Sequence, residues 1–180
     1  MRSPLAVALA VVAAAGALAG CSSGSSGAPA AASSLASRAG DVTWNPCDGL
    51  TPAQVSRIAG TAMTEQTGTA DQPRCTFTPV RKGGPAYDVS YLFFDGGLDA
   101  ALASMGAAGR QLRPVEVPGA DAARVAVKPR PSGILVTGFV QTGGVVQSVN
   151  AAQLAPYDQE QLVSSTTALL AALAKAAPQG

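Results

Sequence analysis

GILVTGFVQTGGVVQSVNA, residues 133–151, holds two runs of apolar and β-branched residues separated by Thr142-Gly143-Gly144. Paired glycines between such runs signal a hairpin, because the tight turns that match strand twist need positive φ. The expected strands are Gly133 to Gln141 and Val145 to Ala151. Just upstream, Ala122 to Lys128 alternates Ala123, Val125 and Val127 against Arg124, Ala126 and Lys128, the pattern of a half-solvated strand. Pro129-Arg130-Pro131 is expected to break it, and Pro118-Gly119-Ala120-Asp121 reads as the turn from a further candidate, Leu112 to Val117.

The same period-2 reading extends further upstream. Ala86 to Phe94 places Tyr87, Val89, Tyr91 and Phe93 on one face, with Leu92 and Phe94 opposite. Arg74 to Val80 sets Cys75 and Phe77 against Thr76 and Thr78, and Thr61 to Glu65 is a further candidate. Arg81-Lys82-Gly83-Gly84-Pro85 is the intervening turn.

Three helices are expected among these strands. Trp44-Asn45-Pro46-Cys47 reads as extended, since proline disfavours helix at the preceding residue. Then Thr51 is an N-cap, Pro52 the first helical residue and Gln54 the partner of a capping box; Val55, Ile58 and Ala59 form the apolar stripe and Gly60 the stop. Gly97 to Gly109 is a second helix, with Leu98, Leu102 and Met105 on one side. The last runs from its N-cap Asp158, with Gln161 three residues on, to about Ala176; Leu162, Leu169 and Leu173 share a face beside Thr166 and Leu170. The order helix–strands–helix–strands–helix, with hairpin-like links, specifies an α+β domain: one antiparallel sheet with packed helices.

Export is written at the other end of the chain. After Met1-Arg2, Leu5 to Leu18 is uncharged and apolar or small throughout, too short for a comfortable membrane span but suited to a signal peptide. It leads into Leu18-Ala19-Gly20-Cys21, which resembles the bacterial lipobox. The resemblance implies diacylglycerol attachment to Cys21 and cleavage before it; two acyl chains give stable anchoring where one is marginal. The expected organisation is a signal peptide over 1–20, a lipidated N-terminus and flexible Ser/Gly/Ala/Pro linker over 21–40, and a single domain over 41–177.

Three cysteines are an odd number for an exported protein. With Cys21 carrying lipid, Cys47 and Cys75 remain as a pair, and an oxidising compartment makes a disulfide the expected outcome. The rival is two free thiols or a redox pair, although there is no Cys-x-x-Cys and no histidine to lower a thiol pKa.

Asn45-Pro46-Cys47, Leu50-Thr51-Pro52, Val55, Gly60 and Cys75-Thr76-Phe77 together resemble the actinobacterial lipoproteins carrying the domain of unknown function 3558, as does the turn Val117-Pro118-Gly119-Ala120-Asp121-Ala122-Ala123. The resemblance runs from about Val42 to Ala176 and implies a cell-surface location without an established activity. Alanine enrichment and the excess of Arg over Lys are in keeping with such a GC-rich source.

Little in the chain points to catalysis. The absence of histidine removes the Ser-His-Asp and Cys-His systems and most zinc sites. Asp95 with Asp99, and Asp158 with Glu160, read as helix-start caps and first-turn charges rather than acid–base pairs. Asp41, Asp48 and Asp71 lack the regular oxygen alternation of a calcium loop. Gly96-Gly97 before a helix lacks the spacing of a phosphate loop, and Lys82, Lys128 and Lys175 have no Ser-x-x-Lys context. No metal or cofactor is expected. Net charge is +1 from 12 basic and 11 acidic residues, without a basic run, so nucleic acid is not an expected partner.

The expectation is therefore a non-catalytic binding or interaction module, lipid-anchored on the extracytoplasmic face of the cell membrane, engaging an envelope protein, a polymer or an apolar ligand. A carrier holding lipid in a cavity between sheet and helices is the alternative, and Tyr87, Tyr91, Phe93 and Phe94 are the candidate lining of an apolar groove, with sheet core as their other reading; a carboxylate-based hydrolase is the third reading. A closed core under the aromatic strand favours the first and an internal apolar cavity the second.

Overall fold

A computed structural model describes residues 45–69 and 72–178. The expected signal peptide, Cys21, the linker, Asp41, Trp44 and Asp71 lie outside the described residues.

The chain enters through a short 3-10 turn, Pro46–Gly49. Only Asn45 is extended, as Pro46 requires; the reading of Asn45 to Cys47 as one extended stretch is corrected. The Asn45 side chain accepts from Cys47 N at 2.9 Å, and Asn45 N donates to Asp48 Oδ2 at 3.1 Å, a reciprocal cap that winds the turn. Cys47 is thereby held against the sheet and bonded to Cys75, with the two Cα atoms 5.5 Å apart. Helix α1, Pro52–Ala59, follows. Thr51 Oγ1 accepts from Gln54 N at 3.2 Å, and Gly60, at φ 69°, ends the helix as expected.

Seven strands make one antiparallel sheet: β1 (Met63–Thr69), β2 (Gln72–Pro79), β3 (Ala86–Phe93), β4 (Arg113–Pro114), β5 (Ala122–Arg130), β6 (Gly133–Thr142) and β7 (Val145–Leu154). Their spatial order is β1-β2-β3-β7-β6-β5-β4. The hairpin read first, β6–β7, turns through Gly143-Gly144, with Gly143 at φ 57°. The N-terminal trio meets the C-terminal strands along one seam, β3 against β7, from Ala86↔Ala152 to Phe93↔Val145.

Four expectations about the strands and helices change. The candidate at Thr61 to Glu65 becomes a seven-residue edge strand, β1, shifted to begin at Met63 and run to Thr69. Leu112 to Val117 pairs only at Arg113 and Pro114, since Pro114 has no amide to continue a ladder. Conversely, Pro129 does not break β5; pairing runs on through Pro129↔Ile134 to Arg130↔Gly133. β4 covers β5 only at Arg124 and Val125, so beyond them β5 is an edge where proline is tolerated. Helix α2 is Gly97–Ser104, ending five residues earlier than expected because Gly106 takes φ 59° and turns the chain. Met105 consequently points to solvent, while Leu98 and Leu102 are buried.

Helix α3, Gln159–Ala176, starts as read: Asp158 Oδ1 accepts from Gln161 N at 3.0 Å. It buries Leu162, Leu169, Leu170 and Leu173 against the sheet. Gly138 permits the approach, since a Cβ there would sit 2.8 Å from Leu170 Cδ1. The main core lies beneath α1 and α3, and includes Phe77, Tyr87, Val89, Val136 and Val149.

Candidate functional site

Strand alternation gives the sheet two unlike faces. One is closed: Phe77, Tyr87 and Val89 are almost without exposure under the helices. The aromatic stripe, weighed as a groove lining against sheet core, divides along its length. Tyr87 is core, whereas Tyr91 and Phe93, edge to face at 5.9 Å, are half-buried toward the β7 start. The Tyr87 hydroxyl is 2.8 Å from Ser165 Oγ, and Ser165 Oγ donates to Leu162 O at 3.0 Å. Burial raises the Tyr87 pKa above its ordinary 10.0, more than the Ser165 hydrogen bond lowers it. Gln147 is wholly buried here too; its Nε2 donates to Leu173 O at 3.1 Å, and its Oε1 has no partner among the described residues.

The other face is only partly covered. Register aligns Thr76, Asp88, Asn150 and Thr137 in a row across β2, β3, β7 and β6. Thr76 Oγ1 donates to Asp88 Oδ2, and Thr137 Oγ1 to Asn150 Oδ1, each at 3.0 Å. In the next row Ser90 and Ser148 meet at 2.8 Å, and Arg74 reaches Asp88 at 3.7 Å. These pairs fix the side chains into a half-exposed polar band. At one end of the band α2 closes the face with a small second core of Leu98, Leu102, Leu112, Ala126 and Val146, against which Phe94 and Phe139 pack. At the opposite end Ala86, Ala152, Leu135 and Leu154 line an open apolar depression of about 420 Å³, with Arg130 and Ser132 at its rim.

The acidic residues weighed for chemistry are dispersed. Asp99 pairs with Arg124 at 3.2 Å, Asp158 caps α3, and Asp48 closes the 3-10 turn. The expected cap at Asp95 is corrected: the N-cap is Gly96, and Leu98 N donates instead to Gln141 Oε1 of β6 at 2.7 Å. Gly97 N is likewise taken by Phe94 O, so these two amides are already engaged. Glu65 places a carboxylate oxygen within 4.8 Å of both Cys47 and Cys75 sulfurs, but sulfurs bonded to each other are not thiolate ligands. Among the described residues no helix is long and apolar enough to cross a membrane. Sequence reasoning missed Gln141 and the polar band; only the run of Thr, Ser, Asp and Asn at alternate strand positions hinted at the latter.

Fold and surface together define a disulfide-linked α+β domain whose sheet is sealed by helices on one face and partly open on the other. The chain belongs to the family described as "Protein of unknown function (DUF3558)", whose sequence profile matches residues 16–148, from upstream of the described domain into β7. No curated protein and no solved structure matches the chain.

Proposed function

We propose that this protein is a membrane-anchored envelope lipoprotein, held by lipid on Cys21, whose domain is a non-catalytic binding module using the partly open sheet face. The observation that carries the reading is the division of the sheet. The aromatic strand is filled beneath α3 by Phe77, Tyr87 and Val89. The opposite face presents ordered polar rows ending in an apolar depression. Preorganised polar groups beside apolar surface are what a recognition site requires, since little side-chain entropy is then lost on contact.

Native mass spectrometry of protein purified from its own host tests this reading. The expected mass is the chain from Cys21 with its diacylglycerol and no second lipid; a further retained amphiphile would favour the carrier. Cys21→Ala should also release the protein from membranes or leave it unprocessed, and unchanged fractionation and processing would remove the anchor.

A further inference from the structure

The strands β2, β5 and β7 end, and β3 and β6 begin, at one end of the sheet, where Arg130↔Gly133, Gly133↔Leu154 and Ala86↔Ala152 are register partners. The two most exposed large apolar side chains of the described residues lie there: Leu154, 75% exposed, and Val80, 61% exposed. Leu154 and Leu135 line the apolar depression, and Val80 directly follows the end of β2. Four cations occupy the same end. Arg130 lines the depression, and Lys128 is the cross-strand neighbour of Leu135 on the same face. Arg81 and Lys82 belong to the turn that Gln153 Nε2 ties down by donating to Gly83 O at 3.1 Å. None of the four is in an ion pair among the described residues. The acids nearest in sequence are engaged elsewhere: Asp88, on the same face, accepts from Thr76 and pairs with Arg74, and Asp121 Oδ2 accepts from Gly143 N at the far end of β6. Asp158 and Glu160 begin α3 on the opposite face, and Asp158 is engaged as its cap.

We infer that this basic, apolar end of the sheet is a second membrane contact, which lies directly on a bilayer rich in anionic phospholipid. Charge complementarity and apolar exposure point to the same occupant. Negatively charged headgroups match unpaired Lys and Arg, while the acyl boundary just beneath accepts Leu154 and Val80. A soluble polyanion supplies the charge but no apolar phase for these side chains, and a bilayer supplies both over the whole breadth of the strand ends. The contact is compatible with the anchor. Asn45 enters at the other end of the sheet, where Gly49 abuts Ala176 at the close of α3. Twenty-three residues separate Cys21 from Asn45, and an unstructured chain of that length spans about 25–30 Å root-mean-square, comparable with the length of these strands. Two attachments at opposite ends would lay the sheet along the membrane and orient the polar band.

The inference rests on the envelope location proposed above, and amine labelling of the full chain separates the two. Protein from its host is placed on vesicles of phosphatidylcholine alone, or with about a third phosphatidylglycerol, enough to give a substantial negative surface potential. Labelling of Lys82 and Lys128 is expected to slow about fivefold or more on the anionic vesicles, with Lys175 as the unaffected control. Leu154→Glu, at a position exposed enough to leave the fold intact, should abolish that protection. Equal labelling on both vesicles overturns the inference, as does protection seen only in native membranes and not in protein-free vesicles, which would indicate a protein partner. If Cys21 carries no lipid, the anchor reading fails, yet protection of the unlipidated chain on anionic vesicles still supports the contact.

Discussion

Tyr87 shows how far single residues are legible. Alternation grouped it on one face with Val89, Tyr91 and Phe93, and it is core. Its hydroxyl partner, Ser165, lies 78 residues away and left no local mark. Because burial holds its pKa above 10.0, the folded state resists ionisation that the unfolded chain undergoes freely. The unfolded state then binds fewer protons, so this contribution is intact below pH 10 and falls as pH rises beyond it. Tyr87→Phe is expected to cost about 1 kcal/mol near neutrality and to flatten the loss of stability above pH 10, measured by urea unfolding across pH. Gln141 teaches the converse. Asp95 had the right chemistry at the right place to cap α2, but the amide of Leu98 is taken by a side chain 43 residues distant. Local signals nominate caps; the tertiary fold decides among them.

Elements were read best where their determinants are local. Thr51 and Asp158 each accept a hydrogen bond from the amide three residues on, and both helices begin where those residues said. Gly60 ended α1 as expected, but Gly106 ended α2 unforeseen, because alanines beyond it kept the helical pattern running. Pro129 was misread for a different reason: whether a proline breaks a strand depends on whether a neighbour needs its amide, and edge position is not local information. The disulfide came from counting cysteines. It joins the entry turn to the buried interior of β2 across 28 residues. Replacing both cysteines by serine should lower stability by about 3–4 kcal/mol on the chain-entropy view, read from the denaturation midpoint; an unchanged midpoint would mean the cross-link constrains little.

At the scale of the molecule, the fold class was legible and the strand order was not. Hairpins announce themselves through their turns, but the β3–β7 pairing joins strands separated by a helix and three other strands. The partly open face was equally hidden, since alternation says which residues share a side but not where a helix stops covering it. That long-range pairing has its own consequence. Eight residue pairs along β3 and β7 bind the two halves of the polypeptide, whereas the connecting turn around Gly106 is exposed around the glycine and lies outside the sheet. A protease site introduced between Ala107 and Ala108 should therefore yield two fragments that stay associated and co-elute from a sizing column under native conditions. Separately produced pieces should recover the same complex on mixing, making the protein a natural two-part reporter; fragments that drift apart once nicked would mean its continuity depends on that turn.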